Sequence, residues 1–284
     1  MTDKSARSER LDHYVARQLS EKSRSFGTKL IGRGKVLVNG QAQPKAAYKL
    51  HPADKVKILY NASDAERVPQ IELPVLYEDD DCVVINKPTG ILSHSKGAFN
   101  PEATVASWLS GRVKNLNGER AGIVHRLDRP TSGVMICAKT PEAMSWLQKQ
   151  FSTRKVKKTY LAVVSGTPKN LEAVIDMPIE RNPRKLQTFR VGSNGKPAQT
   201  AYRVIQTGSR LSLLELQPTT GRTHQLRVHL KKLGHPILGD TLYGGQASER
   251  LFLHAKSLEL TLPNRQRALF EAPLPPGFKE VLGK

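Results

Sequence analysis

The chain has 284 residues, of which 45 are Lys or Arg and 25 are Asp or Glu, so its formal net charge is +20. This length allows one large domain with a small additional module, and the charge favours nucleic acid as partner. No apolar run approaches the ~20 residues of a membrane helix, and the N-terminal sequence lacks the apolar core of a secretory signal. We therefore expect a cytoplasmic protein without membrane contact.

The first 60 residues predict a small basic module, with 13 Lys and Arg against 5 Asp and Glu. Apolar residues at helical spacing predict a helix over 9–20, and Ser23 is a candidate cap for a second helix that runs to about Gly34. Alternating apolar residues then predict strands at 35–42 and 54–58, the first folded at the tight-turn pair Asn39-Gly40. A module of this size has too little core to be an enzyme by itself.

This module resembles the alpha-L RNA-binding motif that a small-subunit ribosomal protein shares with several RNA enzymes. The matching residues are RLDHYVA (10–16), SRS (23–25), Ile31, GKVLVNG (34–40) and ADKVKI (53–58). The resemblance implies that the module binds structured RNA. Its candidate contacts are Arg24, Lys29 and Arg33.

After a polar connector at 61–72, the pattern changes to strands and predicts an α+β domain over 73–284. Residues 73–88 carry two apolar runs around an acidic turn, which is typical of a hairpin. The other predicted elements are strands at 158–164, 200–205 and 211–216 and helices over 140–151 and around Leu226, Leu230 and Leu233. We expect a mixed, largely antiparallel sheet with interspersed helices.

The stretch GIVHRLDRPTSGV (122–134) places one acid, Asp128, between Arg126 and Arg129. Neighbouring guanidinium groups favour the ionised form of a carboxylate, which can then act as a nucleophile or a base. Pro130 and the Thr-Ser-Gly that follows it predict a rigid turn. The stretch therefore predicts a loop that presents one carboxylate in a basic pocket, with a surface salt bridge as the structural alternative.

The sequence lacks the residue patterns that other kinds of enzyme site require. A glycosidase needs a second carboxylate, and none lies close in sequence, although folding could supply one. His224 and His229 are five residues apart, and Cys82 and Cys137 lie far apart in apolar runs, so we predict buried, reduced thiols and no metal site. Because no phosphate-binding glycine loop is visible either, we expect no cofactor.

HRLDRPTSG (125–133) is similar to the signature of the RluA-type pseudouridine synthases, which isomerise uridine in RNA. The resemblance extends over most of residues 73–284. Further matching segments are INKPTGILSH (85–94), KKTYLAVVSG (157–166), LQPTTGRTHQLRVHLKKLGHPILGDTLYG (216–244), LHAKSLEL (253–260) and FEAPLPPGF (270–278). Loop 181–199 differs most from the family pattern and is a candidate for the segment that determines substrate preference.

The resemblance implies a catalytic domain of the pseudouridine-synthase fold and three roles. Asp128 is the catalytic nucleophile, Tyr160 packs on the target base, and Arg222 pairs with the Asp128 carboxylate. For single residues, structural alternatives stay open. Tyr160 could be a core tyrosine, Arg222 a phosphate contact, and the helix carrying Arg227 could have a solvated face.

A uridine must leave its stack to reach a carboxylate on a loop. We therefore expect His125, Arg126 and Arg129 to contact phosphates or the flipped nucleotide, and we add His224 and Arg227 as candidate RNA contacts. Large-subunit ribosomal RNA is the expected substrate, transfer RNA is the alternative, and we expect a monomer. A non-catalytic RNA-binding protein of the same fold and a hydrolase that releases free base are the rival functions.

Overall fold

The computed structural model describes residues 9–19, 24–60, 68–94, 102–116, 120 and 122–282. The chain divides into two compact units, residues 1–69 with 95–102 and residues 70–94 with 103–284. The division falls inside the predicted connector 61–72, of which residues 61–67 lie outside the described residues, as does the predicted cap Ser23. Within the described residues, no helix combines the length and the apolar character needed to cross a membrane.

The first unit contains two helices and a three-stranded antiparallel sheet. Its elements are α1 (Leu11–Gln18), α2 (Arg24–Gly32), β1 (Val36–Val38), β2 (Gln41–Ala42) and β3 (Val56–Ile58), with sheet order β2-β1-β3. Asn39 and Gly40 both have positive φ, 53° and 84°, as the primed turn between β1 and β2 requires. The core is formed by apolar side chains from both helices and β1, including Leu11, Val15, Phe26 and Leu30.

A buried carboxylate joins the two helices of this unit. Asp12 on α1 accepts hydrogen bonds from Arg10 (3.0 and 3.1 Å) and from Arg24 on α2 (3.0 and 2.8 Å). The hydrogen bonds from Arg10 and then from Arg24 lower the pKa of Asp12 to about 2. The predicted RNA contact Arg24 therefore also holds α2 on α1, while the side chains of Lys29 and Arg33 are exposed.

The second unit is built on a nine-stranded sheet. Its strands are β4 (Val75–Glu78), β5 (Cys82–Lys87), β6 (Ser132–Ala138), β7 (Lys157–Ser165), β8 (Glu172–Asp176), β11 (Gln199–Thr207), β12 (Leu211–Pro218), β13 (Leu253–Thr261) and β14 (Arg267–Glu271). A separate antiparallel hairpin consists of β9 (Ile179–Arg181) and β10 (Phe189–Val191), so the loop 181–199 that is expected to vary begins at the end of β9 and includes β10. The helices are α3 (Val105–Leu109), α4 (Pro141–Ser152) and α5 (Gln225–Lys232), with 3₁₀ turns at Thr241–Tyr243 and Glu280–Leu282.

The strand order is β4-β5-β6-β13-β7-β12-β11-β8, and β14 pairs with β13. The β6–β13 pair is parallel, whereas the other pairs of this sheet are antiparallel. This confirms the predicted mixed, largely antiparallel sheet. All seven residues of β6 are buried, as expected for a central strand covered on both faces. The predicted buried thiols, Cys82 on β5 and Cys137 on β6, are free and buried.

Helix α4 begins where the sequence offers a cap, whereas α5 begins without one. Thr140 caps α4 by accepting a hydrogen bond from the Ala143 amide at 3.2 Å, and Pro141 occupies the first helical position. Helix α5 is buried on all sides from Gln225 to Leu230. The alternative of a solvated face around Arg227 is therefore wrong, because the polar side chains of Gln225, Arg227 and His229 are all buried.

Three adjacent strands bring the predicted site residues together. Asp128 lies four residues before β6, and Tyr160 lies on β7, with β13 between these two strands. On β13, Ala255 is in register with Tyr160 on one side and with Gly133 on the other. Gly133 has φ +117°, and a Cβ there would collide with the Ala255 backbone, so glycine allows β6 to approach β13.

Candidate active site

A cleft of about 510 Å³ opens beside Asp128 in the second unit. Its walls are the loop before β6, the C-terminal end of α4, the start of β7 and the segment from β12 into α5. Five cationic side chains line it: Arg126, Arg154, Lys158, Arg222 and Arg227. Among the described lining residues, Asp128 is the single acid. The cleft therefore suits a polyanion, with one carboxylate available for chemistry.

The residues that follow β5 hold the Asp128 loop (residues 123–131) by its backbone. The buried Ser93 hydroxyl donates to the Leu127 carbonyl at 2.8 Å and accepts from the Leu127 amide at 3.1 Å. The Thr89 hydroxyl donates to the Pro130 carbonyl at 2.9 Å. The residues on both sides of Asp128 are thereby fixed, which restricts where its carboxylate can lie.

Lys87, at the end of β5, is a fully buried lysine that the sequence did not single out. Its Nζ donates to the carbonyls of Pro88 and Ile91, both at 2.8 Å, and to that of Arg129 in the Asp128 loop at 3.3 Å. Burial lowers the pKa of Lys87 to about 7, although the Asp128 charge favours the ammonium form. Lys87 thus ties the turn after β5 to the Asp128 loop.

The two oxygens of Asp128 have different neighbours. Arg227 on α5 places Nη1 at 3.7 Å from Oδ2, and His224 places Nε2 at 4.0 Å from Oδ1. Asp240 fixes Arg227 through two hydrogen bonds, 2.8 and 2.7 Å long. Burial alone would lower the pKa of Arg227, but the bonds and charge of Asp240, with the charge of Asp128, raise it. Arg227 is therefore a buried, permanent cation beside the carboxylate.

The predicted pairing of Arg222 with Asp128 is corrected by this geometry. Arg222 lines the cleft, but its Nε donates to the Pro197 carbonyl at 3.0 Å. Arg222 lies in the turn before α5, whereas Arg227 lies in the first turn of that helix and points inward. Arg227, predicted as an RNA contact, instead takes the position next to Asp128.

Tyr160 lines the same cleft from β7. Burial, and then the Asp128 charge, raise the pKa of Tyr160, so its phenol stays neutral. An aromatic ring beside the carboxylate can pack on a base, and such stacking is worth about 1–3 kcal/mol. The placement agrees with the predicted role, which remains a proposal.

His125 lines the cleft, but it is no cation. Its Nε2 accepts the Ile136 amide hydrogen at 3.1 Å, and its ring stacks on Phe151 with a centroid distance of 4.5 Å. Burial, and then the Lys158 charge, lower the pKa of His125 to about 3. The neutral ring of His125 therefore helps to orient the loop, and its expected contact with RNA stays a prediction.

The other expected RNA contacts of this loop are exposed, and Arg126, unlike Arg129, belongs to the cleft lining. Two further cations there were missed from the sequence. Arg154 follows α4 on the exposed rim, and Lys158 donates from β7 to the Thr220 carbonyl at 3.1 Å. Burial lowers the pKa of Lys158 to about 8. The RKVKK run at 154–158 was the available signal for both.

Comparison with known proteins agrees with both resemblances. A family model described as RNA pseudouridylate synthase matches residues 81–232, and a model of the S4 domain matches residues 9–56. An uncharacterized RNA pseudouridine synthase of Synechocystis is 36% identical over 292 residues, covering 96% of this chain and 88% of that protein. A ribosomal large subunit pseudouridine synthase D of Nitrosomonas europaea is 37% identical over 289 residues, covering 96% and 83%.

A solved structure is similar as well. Human RNA pseudouridylate synthase domain containing 4 aligns with a TM-score of 0.59 at 31% identity, covering 74% of this chain and 91% of that one. The family model alone spans more than half of the 284 residues, and it includes Asp128, Tyr160 and Arg227. The chain therefore belongs to the RNA pseudouridylate synthase family.

Proposed function

We propose that this protein converts specific uridines of large-subunit ribosomal RNA to pseudouridine, with Asp128 carrying the reaction. The observation behind this proposal is one carboxylate in a basic cleft, with a donor near each oxygen and Tyr160 beside it. Relatives from Nitrosomonas europaea and Xanthomonas campestris, 37% and 36% identical, are named ribosomal large subunit pseudouridine synthase D. Those names support ribosomal RNA as the substrate.

The reaction breaks the bond from ribose C1′ to uracil N1 and forms a bond from C1′ to C5. The hydrogen on C5 is lost, and N1 gains one, so the product has the composition of the substrate. An ionised carboxylate can form or steer the detached-sugar intermediate, either by attack at C1′ or by taking a proton from the sugar. Both routes require the Asp128 oxygens to reach an extruded nucleotide.

The other residues have supporting roles. Tyr160 packs on the uracil while it turns, and Arg227 keeps the carboxylate ionised and aimed. The exposed cations of the rim, Arg126 and Arg154, bind phosphates on either side of the target. The S4 domain adds a second RNA-binding surface, which raises the concentration of substrate at the cleft.

The test is to incubate the full chain with unmodified transcripts of large-subunit ribosomal RNA and, separately, with unmodified transfer RNA. Pseudouridine is then mapped by carbodiimide adducts that stop reverse transcription. We expect stops at one or a few uridines of the ribosomal transcript and none with D128N. Stops confined to transfer RNA would show that ribosomal RNA is not the substrate. Release of free uracil, or RNA binding without any pseudouridine formation, would contradict the proposed isomerase activity.

A further inference from the structure

The β9–β10 hairpin is linked to Asp128 through the buried side chain of Tyr243 and the half-buried side chain of His224. The backbone N–H of Phe189 on β10 donates to the Tyr243 hydroxyl at 3.0 Å. The same hydroxyl lies 2.7 Å from Nδ1 of His224. The ring of His224 packs edge-on against both Phe189 and Tyr243, with centroid distances of 5.6 Å. His224 Nε2, on the far side of this ring, faces Asp128.

The hydrogens in this series of hydrogen bonds, from Phe189 through Tyr243 to His224, can be assigned by asking which groups must donate. A backbone N–H only donates, so the Tyr243 oxygen accepts from Phe189 and has one hydrogen of its own. Tyr243 is 2% exposed, and a buried hydroxyl normally uses its hydrogen. Within the described part of the chain, that hydroxyl has no acceptor besides Nδ1 of His224. Tyr243 therefore donates to Nδ1, which leaves the ring hydrogen on Nε2.

The charge state of His224 agrees with this tautomer. Burial lowers the pKa of His224, and the charges of Arg227 and Arg126 act in the same direction, against Asp128 and Asp240. The imidazole is therefore neutral at neutral pH, with Nδ1 as acceptor and Nε2–H as donor. Its backbone has φ +57°, an uncommon value for a residue other than glycine, which its surroundings maintain.

We propose that His224 is a positioning residue that directs Nε2–H at Asp128 Oδ1, and that Tyr243 fixes this tautomer. Arg227 lies against Oδ2, so the two donors act on different oxygens and set the plane of the carboxylate. The 4.0 Å separation is longer than a hydrogen bond. This role therefore requires Nε2 to move closer to Oδ1 when RNA fills the cleft. The inference rests on the proposed function, because it assigns a task at the same carboxylate.

The test uses substitutions in the full chain that each remove one hydrogen-bonding group. Tyr243→Phe removes the hydroxyl, and His224→Leu removes the ring donor. For both we expect the single-turnover rate at saturating RNA to fall about tenfold, with the RNA dissociation constant within about twofold of wild type. His224→Gln, whose amide N–H can replace Nε2–H, should recover most of the rate. Tyr202→Phe is the control, since its hydroxyl donates to the Asn170 carbonyl away from the cleft.

A second readout needs no activity. Nitrogen-15 NMR of labelled histidine should show the Nε2–H tautomer for His224 in the wild type and an altered ring signal in Tyr243→Phe. Wild-type turnover by both variants, a loss of affinity alone, or an Nδ1–H tautomer in the wild type would each overturn the inference. A wild-type protein that makes no pseudouridine would instead overturn the proposed function, while the NMR result would still test the tautomer.

Discussion

Arg227 is the charged side chain nearest to Asp128 within the described residues, and a second carboxylate, Asp240, holds that arginine. Nη1 of Arg227 lies 3.7 Å from Asp128, while its other edge is hydrogen-bonded to Asp240. A guanidinium can serve two carboxylates at once because its donors point in fixed, separate directions. A lysine has its three donors on one nitrogen and cannot keep both the paired hydrogen bonds to Asp240 and the contact with Asp128, so the identity of this residue matters more than its charge.

Arg227→Lys should therefore impair catalysis more than Arg222→Lys. Hydrogen bonds to charged groups contribute about 1.5–3 kcal/mol, so we expect at least about a tenfold lower single-turnover rate for Arg227→Lys. Arg222→Lys should stay within about threefold, because its Nε serves the Pro197 carbonyl. The measurement is the single-turnover rate of each variant at saturating RNA, and thermal unfolding checks that both variants are folded. A larger loss at Arg222 would restore the pairing that the sequence suggested.

At this scale the sequence predicted that Asp128 and Tyr160 share a site, and both line the cleft, but it paired Asp128 with Arg222, whereas Arg227 lies next to the carboxylate. The segment GRTHQLRVHL contains Arg222 and Arg227 within six residues, and either could pair with a distant acid. Which one does so depends on where α5 begins and on Asp240, which follows the helix. Lys87 and Tyr243 were missed because their contacts join segments distant in the chain, which no local pattern encodes.

At the scale of elements, the turn after β5 supports the Asp128 loop. Ser93 satisfies both backbone groups of Leu127 in a buried place, and Lys87 binds the Arg129 carbonyl. Unsatisfied buried backbone groups are costly, so the loop and its support are expected to form together. The site thus consists of a carboxylate on a loop that a neighbouring segment makes rigid.

Ser93→Ala should lower both stability and rate. Leaving the Leu127 amide and carbonyl without their partner costs about 1–3 kcal/mol of unfolding free energy, and the freed loop should slow turnover at saturating RNA about tenfold. Ser212→Ala is the matched control, because Ser212 is equally buried and pairs with Thr167 outside the cleft lining. A Ser93→Ala enzyme that turns over like Ser212→Ala would show that the hydroxyl serves stability alone.

In the first unit, Asp12 predicts a pH dependence. Its pKa is about 2 in the folded chain, mainly through Arg10 and then Arg24, below the ordinary value of about 3.9. A depressed carboxyl pKa stabilises the fold above about pH 4, and this contribution is lost as the pH falls toward 2. Because both arginines are half-exposed, we expect only about 1 kcal/mol.

Hydrogen exchange measures this effect directly. Asp12→Asn should reduce the protection of α1 and α2 amides at pH 5–7, and the difference from wild type should shrink toward pH 2. Protection of β6, in the other unit, provides the internal control. A difference that is unchanged down to pH 2 would mean that the carboxylate charge contributes nothing.

Element prediction succeeded where the pattern was local. The predicted strand 211–216 corresponds to β12, and the predicted helix 140–151 to α4 (Pro141–Ser152). The parallel pairing of β6 with β13 was not predictable, since the two strands are more than 100 residues apart and meet through Gly133. The β9–β10 hairpin was also missed, because each of its strands has only three residues.

For the whole molecule, the proposed function divides binding and chemistry between the two units. The S4 domain matches residues 9–56, the synthase model matches 81–232, and the cleft lies entirely in the second unit. An S4 domain that supplies affinity should affect how much RNA is bound more than how fast the bound RNA reacts.

Lys29→Gln with Arg33→Gln should therefore weaken RNA binding without slowing chemistry. Both side chains are exposed in the first unit. Each lost phosphate contact should reduce the slope of log affinity against log salt by about 1, while the single-turnover rate at saturating RNA stays within about twofold. Lys169→Gln, an exposed lysine of the second unit, is the control. A collapse of the saturated rate would contradict the division.

The most direct measurement of the central claim compares Asp128→Asn with the wild type and with Asp176→Asn, an exposed acid on β8. Each full-length protein is mixed in excess with one RNA that the wild type modifies, and both affinity and single-turnover pseudouridine formation are recorded. We expect Asp128→Asn to bind the RNA but to form no pseudouridine, while Asp176→Asn matches the wild type. Pseudouridine formation by Asp128→Asn at more than about a tenth of the wild-type rate would contradict this expectation.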